Sequence, residues 1–221
     1  MITYLIQGGP LMIAIGAGSI AAGAFTVIAW LRLGEASKNT SQTIAKITQA
    51  TAKRDWPEAL QTLKQTAHPF FKSWQAGFSL LIEGKSDLRD IEEAVSIEGS
   101  GFMTYLESPI KSLGALVAVL PMLGFLGTIL GLILSFQNWE RMGAHVSISQ
   151  LAGGIYQAMI TTAAALIVAI PYHLLYHFFA SWTQKLAYEF SKETTELFRK
   201  IKDALIHEAP MEAETVLSSK S

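Results

Sequence analysis

Three stretches of this chain, residues 1–31, 112–139 and 146–184, contain no Asp, Glu, Lys or Arg. A bilayer core of roughly 30 Å needs about 20 apolar residues in a helix, and each stretch can supply them. Within the first, residues 10–31 give about 22 apolar or small side chains. In hydrocarbon an isolated span must satisfy its own backbone hydrogen bonds, so three transmembrane helices are predicted. Charged residues make up 16% of the chain against about 25% in soluble domains, and the deficit is concentrated in these blocks.

The cations set the orientation. Apart from Arg141, every Lys and Arg lies in 32–111 or after Gln184, and Lys/Arg-rich segments flanking spans stay in the cytoplasm. The first block has no cationic run before it and Arg32 follows it, which argues against a cleaved signal peptide and for an N-terminus outside. The expected organisation is an N-terminal segment with the first span (1–32), a cytoplasmic helical region (33–111), the second span (112–136), an outer linker (137–150), the third span (151–182), and a cytoplasmic helical extension with a disordered tail (183–221). This reads as one membrane domain with a helical extension rather than two independent domains.

Outside the spans the patterning is helical. Ile44, Ile47 and Ala50 or Thr51 share one face, and Asp55 before Trp56-Pro57 restarts a helix by capping and by a first-turn proline. His68-Pro69 breaks the chain before residues 70–83. Gly84 with Ser86-Asp87 ends that helix and caps the next. After the third span Leu186, Phe190, Leu197, Ile201 and Leu205 recur near helical period. A helix from Leu151 to about His207 would be roughly 85 Å long, so its apolar stripe needs the 33–111 helices or a neighbouring subunit.

The second span carries Pro121, Gly124, Thr128, Gly131 and Ser135 at three- and four-residue spacing, with Gly127 beside them. In the third, Gly154, Ala158, Thr162, Ala165 and Ala169 repeat the pattern, with Thr161 alongside. Such stripes let membrane helices approach closely. The two spans run in opposite directions, so Thr128 and Thr162 fall at similar depth. The spans lack the charged groups that mark an ion pathway, so a charged carrier, if there is one, must come from another polypeptide.

The runs QGGPLM (7–12), LPMLGFLGTILGLILSF (120–136) and AGGIYQAMITTAAALIVAIP (152–171) closely resemble the MotA/TolQ/ExbB proton-channel family, the ExbB and TolQ branch best. The resemblance is specific over about 101–182 and thin over 37–100. It implies an all-α, three-span subunit of a homo-oligomeric, pentameric barrel in the bacterial inner membrane, with a periplasmic N-terminus and a cytoplasmic C-terminus. It further implies a single-span ExbD- or TolR-like partner whose aspartate carries the proton, and indirect work on a TonB- or TolA-like protein. By position, Thr128 and Thr162, with Thr161 and Gln157, match the residues lining the proton path. Pro121, Gly124, Gly127, Gly131, Gly154, Ala158 and Pro171 match residues that pack helices and shape the pore. Family members commonly have Glu where this chain has Gln157, which cannot titrate. Protons are the expected coupling ion, with no cofactor.

Other readings are bland. His173 and His177 share a face and invite a metal or haem, but with Tyr172 and Tyr176 they fit an interfacial belt. His145 fits a solvated loop. Glu107, Lys111, Glu98 and Arg89 fit solvated helix faces, and Ser135 and Ser181 lack catalytic partners at recognisable spacing. A net charge of −1 and no cysteine disfavour nucleic acid, thiolate metal sites and cysteine chemistry. An enzyme is not expected. A non-conducting membrane scaffold that recruits cytoplasmic proteins is the alternative to a proton-driven motor subunit.

Overall fold

The computed structural model describes residues 9–66, 68–85, 87–143 and 148–206. Among these lie six helices and no strand: α1 (Leu11–Ala36), α2 (Ser41–Ala52), α3 (Trp56–Gln65), α4 (Phe71–Ile82), α5 (Leu88–Met142) and α6 (Ile148–Ile206). Helices α1, α5 and α6 are long and apolar enough to cross a membrane, in agreement with the three predicted spans. At 1.5 Å per residue the 55 residues of α5 and 59 of α6 extend roughly 83 Å and about 89 Å, far beyond one bilayer core. Helix fills most of the expected linker, and Gly143, just after α5, has a φ of 55°, the left-handed conformation that closes helices. His145 and the 211–221 tail lie outside the described residues.

The local signals act as read. The Asp55 carboxylate accepts the Glu58 N–H at 3.0 Å, and Pro57 sits in the first turn of α3. Gly84, at φ 79°, follows the end of α4. Asp87 accepts the Arg89 N–H at 2.9 Å ahead of α5, while Ser86 lies outside the described residues.

The chain divides into two compact units, one of Met1–Leu31 with Glu107–Ser181, the other of Arg32–Leu106 with Trp182–Ser221. The second unit is built around an aromatic core. Phe70 stacks on Phe190 at 4.2 Å, Phe102 meets Phe190 at 5.5 Å, and Trp74 meets Phe70 at 5.2 Å and Phe71 at 5.5 Å. Trp74 also donates its indole N–H to Thr194 Oγ1 at 3.1 Å, tying α4 to α6. Leu186, Phe190, Leu197 and Ile201 of α6 are buried here, so the 33–111 helices cover the apolar stripe within one chain.

In the first unit Met12 and Ile15 of α1, Leu120 of α5, and Ala165 and Ala169 of α6 form one buried cluster. Tyr172 donates its hydroxyl to the Ser19 carbonyl at 3.2 Å, joining α6 to α1.

Candidate functional site

The small residues of α5 and α6 pack on each other. A Cβ at Gly124 would lie 2.6 Å from Ala165 Cβ and 3.1 Å from Thr162 Cα, and one at Gly127 would lie 2.7 Å from Thr161 Cγ2. At Gly131 it would meet Ala158 Cβ at 2.8 Å and the Gly154 carbonyl at 2.9 Å. These separations leave no room even for a methyl group, so glycine sets the distance between the helices. Ala158 and Thr161 are buried in the same seam. Ser135 is buried beside Gly154 and donates its hydroxyl to the Gly131 carbonyl at 2.9 Å, a local backbone bond rather than a nucleophile's arrangement.

The threonines occupy one layer. Thr162 donates its hydroxyl across the seam to the Gly124 carbonyl at 2.7 Å, and Thr128 donates to the Phe125 carbonyl at 2.6 Å. Both hydroxyl protons are thus directed at consecutive carbonyls of α5 rather than at each other. Both side chains are half-buried at the edge of the seam, whereas Thr161 lies inside it, bonded to the Gln157 carbonyl at 3.0 Å. A hydroxyl whose proton is engaged keeps its lone pairs, so this edge presents hydrogen-bond acceptors.

Toward the N-terminal end of α6, Gln157 packs its side-chain amide against Gly9, whose φ is 75°. Gln157 and Thr161 border a cavity of about 250 Å³ with Pro10, Leu11 and Gly131. At the other end of the spans a cavity of about 610 Å³ opens between α5 and α6, lined by Lys111, Ala118, Pro121, Ala169, His173 and Tyr176 among others. Lys111 pairs with Glu107 at 2.7 Å. Pro171 is exposed within α6. Among the described residues no group of three or more His, Cys, Asp or Glu could hold a metal ion.

Sequence reasoning missed a clamp on α5. Arg32 donates from Nη1 to the Tyr105 carbonyl at 2.5 Å and lies 3.9 Å over the Tyr105 ring. The signal was Pro109: a proline has no N–H to give the carbonyl four residues back, and that carbonyl belongs to Tyr105.

Residues 62–192, more than half of the chain, match the model of the MotA/TolQ/ExbB proton channel family. A biopolymer transport protein ExbB homolog of Methanothermobacter thermautotrophicus is 30% identical over 140 residues, 63% of this chain and 48% of that protein. An ExbB-like biopolymer transport protein of Synechocystis is 45% identical over 62 residues, 27% of this chain and 24% of that protein. The biopolymer transport protein ExbB of Neisseria gonorrhoeae is 36% identical over 77 residues, 35% of this chain and 34% of that protein. The chain spans about half the length of the first of these relatives and less of the others. The match runs through the glycine seam and the threonine layer, and this multi-pass membrane chain belongs to the MotA/TolQ/ExbB proton channel family, on its ExbB-like branch.

Proposed function

We propose that this chain is the barrel-forming subunit of an ExbB–ExbD or TolQ–TolR type motor in a bacterial inner membrane. It assembles as a homo-oligomer, a pentamer, around a single-span partner whose aspartate carries protons. The complex turns the proton-motive force into mechanical work on a TonB- or TolA-like protein. The N-terminus is periplasmic, and 33–111 and 183–221 are cytoplasmic, as the distribution of cations suggests.

One observation carries this reading: in spans without Asp, Glu, Lys or Arg, Thr128 and Thr162 direct their hydroxyl protons at the backbone and leave acceptors exposed at one level. Such an edge accepts a hydrogen bond from a protonated carboxyl and offers none to a carboxylate. Burial in apolar surroundings also disfavours the ionised acid. The layer therefore passes the partner's aspartate in its protonated form. The acid loads from outside, crosses the layer, and discharges toward the cytoplasm. Each proton crossing 100 mV releases about 2.3 kcal/mol from the potential.

The test is Thr162→Val in the chain co-expressed with the short neighbouring protein that has one span and an aspartate. Removing an interhelical hydroxyl bond in a membrane costs about 0.6 kcal/mol, and the Gly124 carbonyl keeps its own helical donor. Assembly should persist while partner-dependent proton flux into vesicles is lost; undiminished flux would reject the pathway. The scaffold alternative draws on the packing of the small-residue stripes within one chain, and it requires that result.

A further inference from the structure

His173 and His177 sit one turn apart on α6 with their Nε2 atoms 3.2 Å apart and their rings almost perpendicular, at 86°. In the neutral pair one ring donates its Nε2–H and the other accepts at a bare Nε2. The donor ring therefore has a bare Nδ1 and the acceptor ring an Nδ1–H. A neutral imidazole can take a proton at its bare nitrogen and release one from the other, so it can pass protons without a net change. An ionisable side chain on a spanning helix is by default a candidate for a proton relay.

The pair also has a position. His173 borders the 610 Å³ cavity, whose lining reaches Pro121 on α5 and Leu166 on α6 toward the threonine layer. Pro121 is one turn from Gly124, the residue whose carbonyl takes the Thr162 hydroxyl. The other titratable groups facing this space are Tyr176 and Lys111, and Lys111 is paired with Glu107. Among the described residues no third His, Cys, Asp or Glu joins the two imidazoles to form a metal-binding group.

We propose that this cavity is the inner half of the proton path and that His173 and His177 are its exit relay. The proposal rests on the motor reading above. A proton released from the partner's carboxylic acid reaches the bare Nδ1 of His173 through water in the cavity and forms an N–H bond there. The Nε2–H bond of His173 then breaks as an Nε2–H bond forms on His177. The Nδ1–H bond of His177 breaks last and hands its proton to cytoplasmic water. One proton enters and one leaves, with no change of oxidation state. The rings are left in exchanged tautomers and reset by proton exchange with water.

The chain has no cysteine, so a single cysteine reports cleanly on water access. In inside-out vesicles of the co-expressed complex, Ala118→Cys should react with a charged, membrane-impermeant thiosulfonate, and Ile20→Cys, in the middle of α1, should not. Unreactive Ala118→Cys would mean a cavity filled by lipid or protein and would overturn the proposal. His173→Gln and His177→Gln, which keep polarity without titrating, should each lower proton flux about tenfold or more. The double variant should be no worse than either, and millimolar imidazole in the medium should restore flux. Flux unchanged in both variants while Thr162→Val stops it would overturn the relay alone. Absence of flux in the natural complex would overturn the motor reading and the relay with it.

Discussion

Replacing Arg32 with alanine removes two interactions with Tyr105, a 2.5 Å hydrogen bond to its carbonyl and a guanidinium 3.9 Å over its ring. A hydrogen bond from a charged donor contributes about 1.5–3 kcal/mol, and a cation over an exposed ring about 0.5–1 kcal/mol. Tyr105 is 45% exposed, so water recovers part of the loss and the low ends apply, giving a total of about 2 kcal/mol. What makes the case diagnostic is Pro109, which cannot donate to that carbonyl from within the helix. Pro109→Ala restores the helical N–H, so in its background Arg32→Ala should cost only about 1 kcal/mol, a coupling of roughly 1 kcal/mol. The assay is denaturant unfolding of the four proteins in detergent, read by tryptophan fluorescence and assembled as a double-mutant cycle. Strictly additive losses would refute the idea that the arginine replaces the donor that proline removed.

His68 is buried, with Nε2 3.3 Å from the Ala36 carbonyl and Nδ1 accepting the Phe70 N–H. Burial lowers its pKa below 6.5, outweighing the Ala36 bond and Glu35, which raise it, while Lys38 adds to the lowering. The folded state therefore binds fewer protons than the unfolded one, and stability should be lost as pH falls below about 6.5. His68→Gln should flatten that acid limb in melting curves taken at successive pH values. Glu193 is the opposite case: burial first, then Glu189 and Glu196, raise its pKa against Lys192, and its Oε2 is buried without a hydrogen-bond partner. Its contribution is present below the ordinary value of 4.5 and lost as pH rises through the raised one. Glu193→Gln should thus raise the melting temperature at neutral pH, with the gain vanishing in acid. Gly131→Ala should destabilise by about 1–3 kcal/mol because its methyl would press on Ala158 and the Gly154 carbonyl. Gly16→Ala meets nothing within 4 Å and should be neutral or stabilising by up to about 1 kcal/mol. Equal melting temperatures for the two glycine variants would contradict the seam.

Much of the helical framework was legible because its signals are local. Charge-free blocks fix the spans, Asp55 and Pro57 start α3, and Gly84 marks the end of α4. What periodicity could not reveal was partnership. The stripe through Phe190 announces a buried face, yet its stacking on Phe70 joins residues far apart in sequence, so spacing alone does not say what covers it. The small-residue stripes were visible, and Gly124, Gly131, Ala158 and Ala165 meet along them, while at the threonine level Thr161 and Gly127 enter the seam and Thr162 and Thr128 stand at its edge. Helical spacing assigns a face to within about a third of a turn, and neighbouring threonines differ by less. The direction of each hydroxyl depends on which carbonyl lies within reach, and that is a property of three dimensions alone.

The contact between Gly131 and Gly154 also constrains how this chain can vary. A crowded site lined by large side chains can absorb a bulkier neighbour when another residue shrinks in compensation. Here both members are already the smallest amino acid, and the nearest obstacles include main-chain oxygens. At Gly131 trimming Ala158 would still leave the Gly154 carbonyl 2.9 Å away, which no mutation removes, whereas at Gly154 the nearest obstacle is the Ser135 hydroxyl. Enlargement at Gly131 can therefore be answered only by moving a helix, so this position acts as a fixed point about which the surrounding sequence must change.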